Sequence, residues 1–340
     1  MLTELLRRLS GKCFYFTLKR SLSLDKAIQN KTKRRDAMRG LLPAAADADT
    51  FERSCAHWSA NGRAGMESFY AHATVDYRYL ADSIDWTALL VSLSAQTEVL
   101  QLADLACGSG KFPAALIKHS SLSGLRNSGG KPVQVLYDLL DPSRYAIGEA
   151  AAALKTPFVE RNHYCCKLQD WQPEPSSYDI CWATHALYCV PAEEMDACMS
   201  ILKNGIRSEG ICIVVQSNRR GHYIRFYEHF LESIQGGKGT RFSTAEDVAA
   251  AAKSVGFQSQ SRTLNYETVF GENELPAIEA YLQRCAFDDS VSLDQMLTCG
   301  TLGEYLASTK EQGTFRFQQS VDVLVFGNNL SSFNFWTEEE

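Results

Sequence analysis

Residues 99–112 read Val-Leu-Gln-Leu-Ala-Asp-Leu-Ala-Cys-Gly-Ser-Gly-Lys-Phe, an apolar run followed by a glycine turn and the start of a helical pattern. The apolar part, Val99–Ala106, is short enough to be a buried parallel strand. A strand, a glycine turn and a helix in this order build the ligand-binding turn of doubly wound α/β sheets. Gly108 and Gly110 let the backbone approach a ligand, and the free helix N–H groups point at it. The stretch therefore predicts an α/β fold with a nucleotide-type site.

The residues around the glycines distinguish between the ligands that use such a turn. A phosphate-binding loop requires a glycine where Leu105 stands and a serine or threonine where Phe112 follows Lys111, so it is excluded. A dinucleotide fingerprint requires glycine or alanine at position 113, and Pro113 disfavours it. S-adenosylmethionine is the third possibility. A glycine turn without a ligand is the remaining alternative.

A second strand-like run, Val133–Asp141, ends in an acid that is followed by Pro142 and Ser143. The proline terminates the strand, and the serine can cap the next helix. In doubly wound sheets a ribose-binding acid stands outside the carboxyl end of the second strand. Asp141 fits this position, whereas the competing acid Asp138 lies within the strand. An acid that only stabilises the helix start is the alternative for Asp141.

Several segments in order resemble one superfamily. The motif Asp104–Gly110 resembles the first motif of class I methyltransferases, and the run Tyr178–Pro191 resembles their fourth strand. The resemblance extends from about Tyr70 to Phe326. Within the superfamily, the chain is similar to small-molecule enzymes of the histamine N-methyltransferase type. The shared features are Asp141-Pro142-Ser143 and Leu187-Tyr188-x-Val190.

This resemblance implies a Rossmann-like α/β fold with a mostly parallel seven-stranded sheet whose last strand is antiparallel. It also implies a helical N-terminal lid and a helical insertion before the last strand. The implied cofactor is S-adenosylmethionine, with no metal. The polar residue after a third strand, expected over His163–Leu168, would receive the adenine amino group. The cofactor-binding candidates are Asp104, Ala106, Gly108, Ser109, Gly110, Asp141, Pro142, Ser143, Gln169, Asp170, Trp171 and Thr184.

Four residues are candidates for the acceptor side of the site. His185, at the end of the fourth strand, stands where histamine-type enzymes hold an amide, and it can orient or deprotonate an amine. A packed histidine is the alternative for that position. Tyr188 can form a pocket wall or attract a cation through its ring face. Asp76 and Gln319 fall roughly where the family places an amine-binding acid and an amide.

Charge and composition divide the chain into segments. Residues 1–40 hold eleven Lys and Arg against three acids, which is typical of a transit peptide, a solvated arm or an arm that contacts RNA. The expected segments are a basic arm and linker (1–49), the methyltransferase domain (50–330) and a tail (331–340). The domain would comprise a helical lid (50–95), a cofactor-binding core (96–235) and C-terminal strands with a helical insertion (236–330).

The composition favours an intracellular enzyme. A chain of 340 residues with 45% hydrophobic content can bury a large core. A net charge of −6 disfavours non-specific binding to nucleic acid. The 11 cysteines lack Cys-x-x-Cys spacing, which indicates reduced thiols and a cytoplasmic location. A mitochondrial or plastid location is the alternative if the basic start is a transit peptide. No apolar run reaches the roughly 18 residues of a membrane span.

We therefore expect S-adenosylmethionine-dependent methyl transfer to a small-molecule acceptor, with an amine nitrogen as the favoured atom. The methyl group moves by in-line displacement, so alignment of the reactants supplies much of the acceleration. The alternatives are O- or S-methylation of a small metabolite, methylation of RNA or protein, and a non-catalytic methyltransferase-like scaffold. These patterns do not set the oligomeric state.

Overall fold

The computed structural model describes residues 50–59, 69–73, 75–95, 97, 99–122, 124–330 and 336–337. The expected arm at 1–49 and most of the expected tail lie outside this part. The strands are β1 (Val99–Leu105), β2 (Gln134–Leu140), β3 (Phe158–Tyr164), β4 (Tyr178–Thr184), β5 (Ile206–Ser217), β6 (Gln258–Phe270), β7 (Lys310–Glu311) and β8 (Thr314–Gly327). The helices are α1 (Thr50–His57), α2 (Val75–Ser83), α3 (Trp86–Leu93), α4 (Lys111–His119), α5 (Arg144–Ala153), α6 (Met195–Gly205), α7 (His222–Ser233), α8 (Ala245–Ser254), α9 (Leu275–Ala286), α10 (Leu293–Thr298) and α11 (Gly300–Ser308).

The strands form one mixed sheet in the order β3-β2-β1-β4-β5-β8-β6. The strands β1 to β5 are parallel, and β8 runs antiparallel to both of its neighbours. This arrangement confirms the expected Rossmann-like α/β fold with an antiparallel last strand. The sheet has eight strands instead of seven because the two-residue β7 forms a hairpin with the start of β8.

Two edge strands differ from the sequence-based expectation. The third strand is Phe158–Tyr164 rather than His163–Leu168, and most of its side chains are exposed. The C-terminal strands were expected within 236–330 without bounds for the outer strand β6, whose first half is largely exposed as well. A strand at a sheet edge does not need a buried apolar run, so the hydrophobic pattern that located β1 and β4 is missing in both.

Apolar side chains cover both faces of the sheet. On one face, Trp86, Phe112 and Trp182 pack edge to face at centroid distances of 5.0–6.0 Å. On the other face, α6 and α8 bury side chains such as Met199 and Val248. A third cluster joins α7 to α9, α10 and α11, the expected helical insertion. These layers hold the carboxyl ends of the parallel strands at one edge, where the site lies.

Candidate active site

The glycine turn after β1 contains two glycines with positive φ angles, a conformation that glycine adopts more easily than other residues. Gly108 and Gly110 have φ angles of 52° and 69°, in the left-handed region that favours glycine. A Cβ on Gly110 would lie 2.9 Å from the Cα atom of Ala150 in α5, so this glycine permits close packing of the helix. A Cβ on Gly108 would meet no atom within 4 Å. The turn is therefore fixed from behind by α5 and is open in front.

Asp141 connects the end of β2 to the glycine turn. Its Oδ2 accepts a hydrogen bond from the Gly108 N–H at 3.1 Å, and its Oδ1 accepts one from the Ser143 N–H at 2.7 Å. The Ser143 hydroxyl accepts from Ala146 N–H and caps α5. Burial raises the pKa of Asp141 despite the two donors, which lower it. The competing acid Asp138 is engaged elsewhere, since its carboxylate accepts two hydrogen bonds from Arg161 at 2.6 Å.

A cavity of about 230 Å³ opens in front of the turn, at the carboxyl ends of the parallel strands. Most of the predicted cofactor-binding residues line it, namely Asp104, Ala106, Gly108, Ser109, Asp141, Pro142, Ser143 and Thr184. Gly110 lies behind the turn against α5. Ligands of open α/β sheets bind in this kind of crevice, so the cavity is the candidate site.

The structure does not bring the three predicted adenine contacts to the cavity wall. The Gln169 side chain donates to Glu194 Oε2 at 2.8 Å, and Asp170 is exposed. Trp171 is buried against the rings of Tyr164 and Tyr178, at centroid distances of 6.0 and 5.4 Å. The indole therefore belongs to the core beneath the loop. They were predicted as the residues that directly follow a third strand at His163–Leu168, whereas the strand ends at Tyr164.

Two charged residues border the cavity beside the turn. Asp104, at the end of β1, is buried and accepts a hydrogen bond from the Tyr137 hydroxyl at 2.6 Å. Burial raises the pKa of Asp104 to about 7, and the Tyr137 hydroxyl offsets this only in part. Lys111, which sequence analysis missed, lines the cavity with its Nζ 5.1 Å from the centroid of the Tyr70 ring. Its position directly after the glycine turn was the available signal.

Aromatic residues of the N-terminal helical segment form a second wall. Trp58 stacks on Tyr70 with centroids 5.8 Å apart, and the Ser143 hydroxyl donates to the Trp58 carbonyl at 3.4 Å. The Trp58 indole N–H donates to the Tyr188 hydroxyl at 3.1 Å. Tyr188 in turn stacks on Phe287 at 5.8 Å. Of these residues, only Tyr188 is among the acceptor-site candidates predicted from the sequence.

Asp76 and His185 form the main polar pair of the cavity wall. His185 Nε2 is in ion-pair contact with Asp76 Oδ2, and both residues line the cavity. Asp76 is 4% exposed. His185 follows β4 with a φ of 52°, and its N–H donates to the Val215 carbonyl at 2.8 Å. Sequence analysis named each residue separately, and the fold brings them together from α2 and β4.

The other two acceptor-side candidates lie in different environments. Tyr188 lines the cavity, and burial raises its pKa. Gln319 is 1% exposed and lies outside the cavity wall. Its Nε2 donates to the Tyr281 hydroxyl at 3.1 Å and to the Thr268 hydroxyl at 3.3 Å. Its predicted contact with an acceptor therefore has no geometric support.

Cysteine thiols line the same cavity, at Cys55, Cys107, Cys189 and Cys285. Burial raises the pKa of Cys55 to about 11 and also raises those of Cys107 and Cys285. Within the part of the chain that the structure describes, no cysteine forms a disulfide and no cluster of His, Cys, Asp and Glu could hold a metal. The same residues include no helix with the length and apolar character needed to cross a membrane.

Residues 88–237 match the model of a family described as AdoMet dependent proline di-methyltransferase. The N-terminal Xaa-Pro-Lys N-methyltransferase 1 of Ailuropoda melanoleuca is 34% identical over 86 residues, and that of Rattus norvegicus is 33% identical over 86 residues. Each match covers 25% of this chain and 35% of the relative, so the chain spans about a third of the length of the curated relatives it matches. The chain is also similar to magnesium protoporphyrin IX methyltransferase from Synechocystis, with a TM-score of 0.46 and 15% identity over 80% of this chain and 96% of that chain.

Residues 88–237 thus match a family of S-adenosylmethionine-dependent methyltransferases, which confirms the expected superfamily, enzyme class and cofactor. The stretch that matches the proline di-methyltransferase model includes the glycine turn, Asp141 and His185. The expectation of a small-molecule acceptor is wrong. The name of the curated relatives gives a polypeptide N-terminus as their substrate.

Proposed function

We propose that the protein transfers methyl groups from S-adenosylmethionine to the N-terminal α-amine of a polypeptide. The observation that carries this proposal is the Asp76–His185 pair in the wall of the cavity that also contains the glycine turn and Asp141. An α-amine has a pKa of about 7.7–8.0 and must lose a proton before its lone pair can attack. The pair offers a carboxylate that attracts the ammonium and an imidazole that can accept its proton. The match to N-terminal Xaa-Pro-Lys enzymes supports a chain end as the acceptor.

The residues around the turn fit the cofactor. The open side of Gly108 leaves room for a ligand, and the Asp141 oxygens can accept hydrogen bonds from ribose hydroxyls. Lys111 can pair with the carboxylate of the methionine part, and Asp104 can interact with its positive charges. S-adenosylmethionine held by these residues would supply a sulfonium methyl group, with a neutral thioether as the leaving group.

The chain's own residues position the amine and move its proton. His185 takes the proton that the ammonium must lose, and the Asp76 carboxylate stabilises the imidazolium that results. The rings of Trp58 and Tyr188 contribute aromatic surface to the cavity wall beside the amine. Closure of the cavity by these rings also holds the amine in line with the methyl group, and alignment of this kind can supply up to roughly 7–11 kcal/mol.

A methylation assay with defined peptides tests the proposal. Peptides that begin with Xaa-Pro-Lys should gain methyl groups at the N-terminus, as located by fragment mass spectrometry. The same peptide with an acetylated N-terminus should gain none, because its nitrogen is no longer nucleophilic. Labelling of the lysine side chain, or equal labelling of the acetylated control, would show that the acceptor is a different group.

We also propose a domain division and a cellular location for the chain. The first is the division at residues 49 and 50 into a basic arm and a catalytic domain. The second is a cytoplasmic location. Fractionation of cells that express the tagged chain, with and without residues 1–49, tests the location directly.

A further inference from the structure

Gln216 is a polar residue of the cavity wall that the proposed mechanism does not use. It lies near the end of β5 and is 1% exposed. Its Nε2 donates to the Ser243 carbonyl at 2.8 Å. Its Oε1 is buried and has no hydrogen-bond partner within the described residues. An acceptor that is buried without a donor costs roughly 1–3 kcal/mol, so this oxygen requires an explanation.

The orientation of the Gln216 amide is fixed by its surroundings. A carbonyl can only accept hydrogen bonds, so the amide nitrogen must face Ser243, and a flipped amide would oppose two oxygens. Ser243 is itself fixed, because its N–H donates to the Tyr188 carbonyl at 2.9 Å and its hydroxyl donates to the Val190 carbonyl at 2.5 Å. Because Nε2 is bound to Ser243, Oε1 is the amide atom left without a partner on a residue that lines the cavity.

The Asp76 carboxylate is the other buried acceptor of this part of the wall. Its Oδ2 contacts His185. The nearby Tyr266 hydroxyl also bonds to the carboxylate, and burial together with this contact raises the pKa of Tyr266. Gln216 is close to this pair along the sheet, since the His185 N–H donates to the carbonyl of Val215, the residue before it. The wall thus combines the unpartnered Gln216 oxygen with a carboxylate that can accept further hydrogen bonds.

A neutral primary amine matches this arrangement. It has two N–H donors and one lone pair, so two wall oxygens can bind the donors while the lone pair remains directed at the methyl group. We propose that Gln216 Oε1 accepts a hydrogen bond from an N–H of the reacting amine and so favours amines that still carry N–H groups. This inference rests on the proposed function, since it takes the acceptor to be a polypeptide N-terminal amine.

The proposal predicts a difference between methylation states. A neutral N,N-dimethyl amine has no N–H group, so it cannot use Gln216. Removal of the amide should therefore weaken binding of the unmethylated chain end and leave binding of the dimethylated one nearly unchanged. A residue with only a structural role would affect both peptides equally.

The test measures peptide affinity by calorimetry, with the protein saturated with S-adenosylhomocysteine. It uses one Xaa-Pro-Lys peptide, unmethylated or N,N-dimethylated, at pH 9, where the α-amine is mostly neutral. Gln216→Met should lose about tenfold in affinity for the unmethylated peptide, a loss typical of one hydrogen bond, and less than about twofold for the dimethylated peptide. Gln216→Asn, which is too short to reach both partners, should show the same selective loss if Gln216→Met does not fold.

Gln283→Met is the matched control. Gln283 is also buried, donates to two backbone carbonyls, and lies outside the cavity wall. It should lower the melting temperature without changing the ratio of the two affinities. Equal losses for both peptides in the Gln216 variants would overturn the inference. Absence of binding and methylation of any peptide by the wild-type protein would instead overturn the proposed function.

Discussion

The raised pKa of Asp104 predicts that cofactor affinity depends on pH. Burial at the end of β1 raises this pKa to about 7, against an ordinary value of 3.8, so the carboxyl is mostly protonated at pH 6 and mostly ionised at pH 8. S-adenosylmethionine carries a sulfonium and an ammonium, and both favour an ionised neighbour. We expect the ionised form to be the one that binds, so affinity should rise with pH.

The magnitude follows from the ionised fraction. With a pKa of about 7, roughly one tenth of Asp104 is ionised at pH 6 and nine tenths at pH 8, and an affinity limited by that fraction changes by about tenfold. Calorimetry at pH 6, 7 and 8 measures this change directly. In a buffer series, binding at pH 7 should also release protons.

Asp104→Asn is the decisive variant. An amide cannot ionise, so its affinity should be low and nearly independent of pH over this range. Asp141 is the other buried acid of the cavity with a raised pKa, and it is unchanged in this variant. A pH profile that is flat in the wild-type protein, or that keeps its slope in Asp104→Asn, would refute the assignment of this effect to Asp104.

Three further predictions concern other residues of the domain. Asp141→Ala should weaken cofactor binding at least tenfold in calorimetry, since charge-assisted hydrogen bonds contribute about 1.5–3 kcal/mol each; unchanged affinity would remove Asp141 from the ribose site. His185→Ala should lower the turnover number by roughly 10²–10⁴ at saturating substrates while cofactor affinity stays the same, and an unchanged rate would make His185 a packing residue. Burial lowers the pKa of His222 to about 3 from 6.5. Between these two values the imidazole is protonated in the unfolded chain and neutral in the native state. The free energy of unfolding should therefore fall below pH 6.5, by up to about 2 kcal/mol at pH 5; urea titrations should show this loss, and His222→Phe should not.

The sequence predicted the centre of the fold because burial leaves a clear pattern there. The strand before Gly108 and the strand that ends at Asp141 are apolar runs bounded by turn residues, and both lie in the middle of the sheet. The edge strands Phe158–Tyr164 and Gln258–Phe270 are largely exposed, so no apolar run marked them. The adenine contacts were therefore predicted from a misplaced third strand.

Individual residues of the site could be predicted from the sequence, whereas the contacts between them could not. Local motifs identified Asp141 and His185, because each follows a strand that the pattern located. The contact between Asp76 and His185, and the orientation of Gln216 towards Ser243, depend on how distant elements pack. No local pattern in one sequence records such pairs. Gln319 was placed correctly on the last strand. Its side chain nevertheless lies outside the cavity wall, where it donates to the Tyr281 hydroxyl.

The thiols of the cavity wall have a consequence for chemical selectivity. A sulfonium methyl is an alkylating agent, and a thiolate is among the best nucleophiles that a protein contains. With a pKa of about 11, only about one Cys55 side chain in ten thousand is ionised at pH 7. The same burial suppresses ionisation of Cys107 and Cys285. Burial thus keeps these thiols protonated, which disfavours their methylation by a sulfonium bound in the cavity.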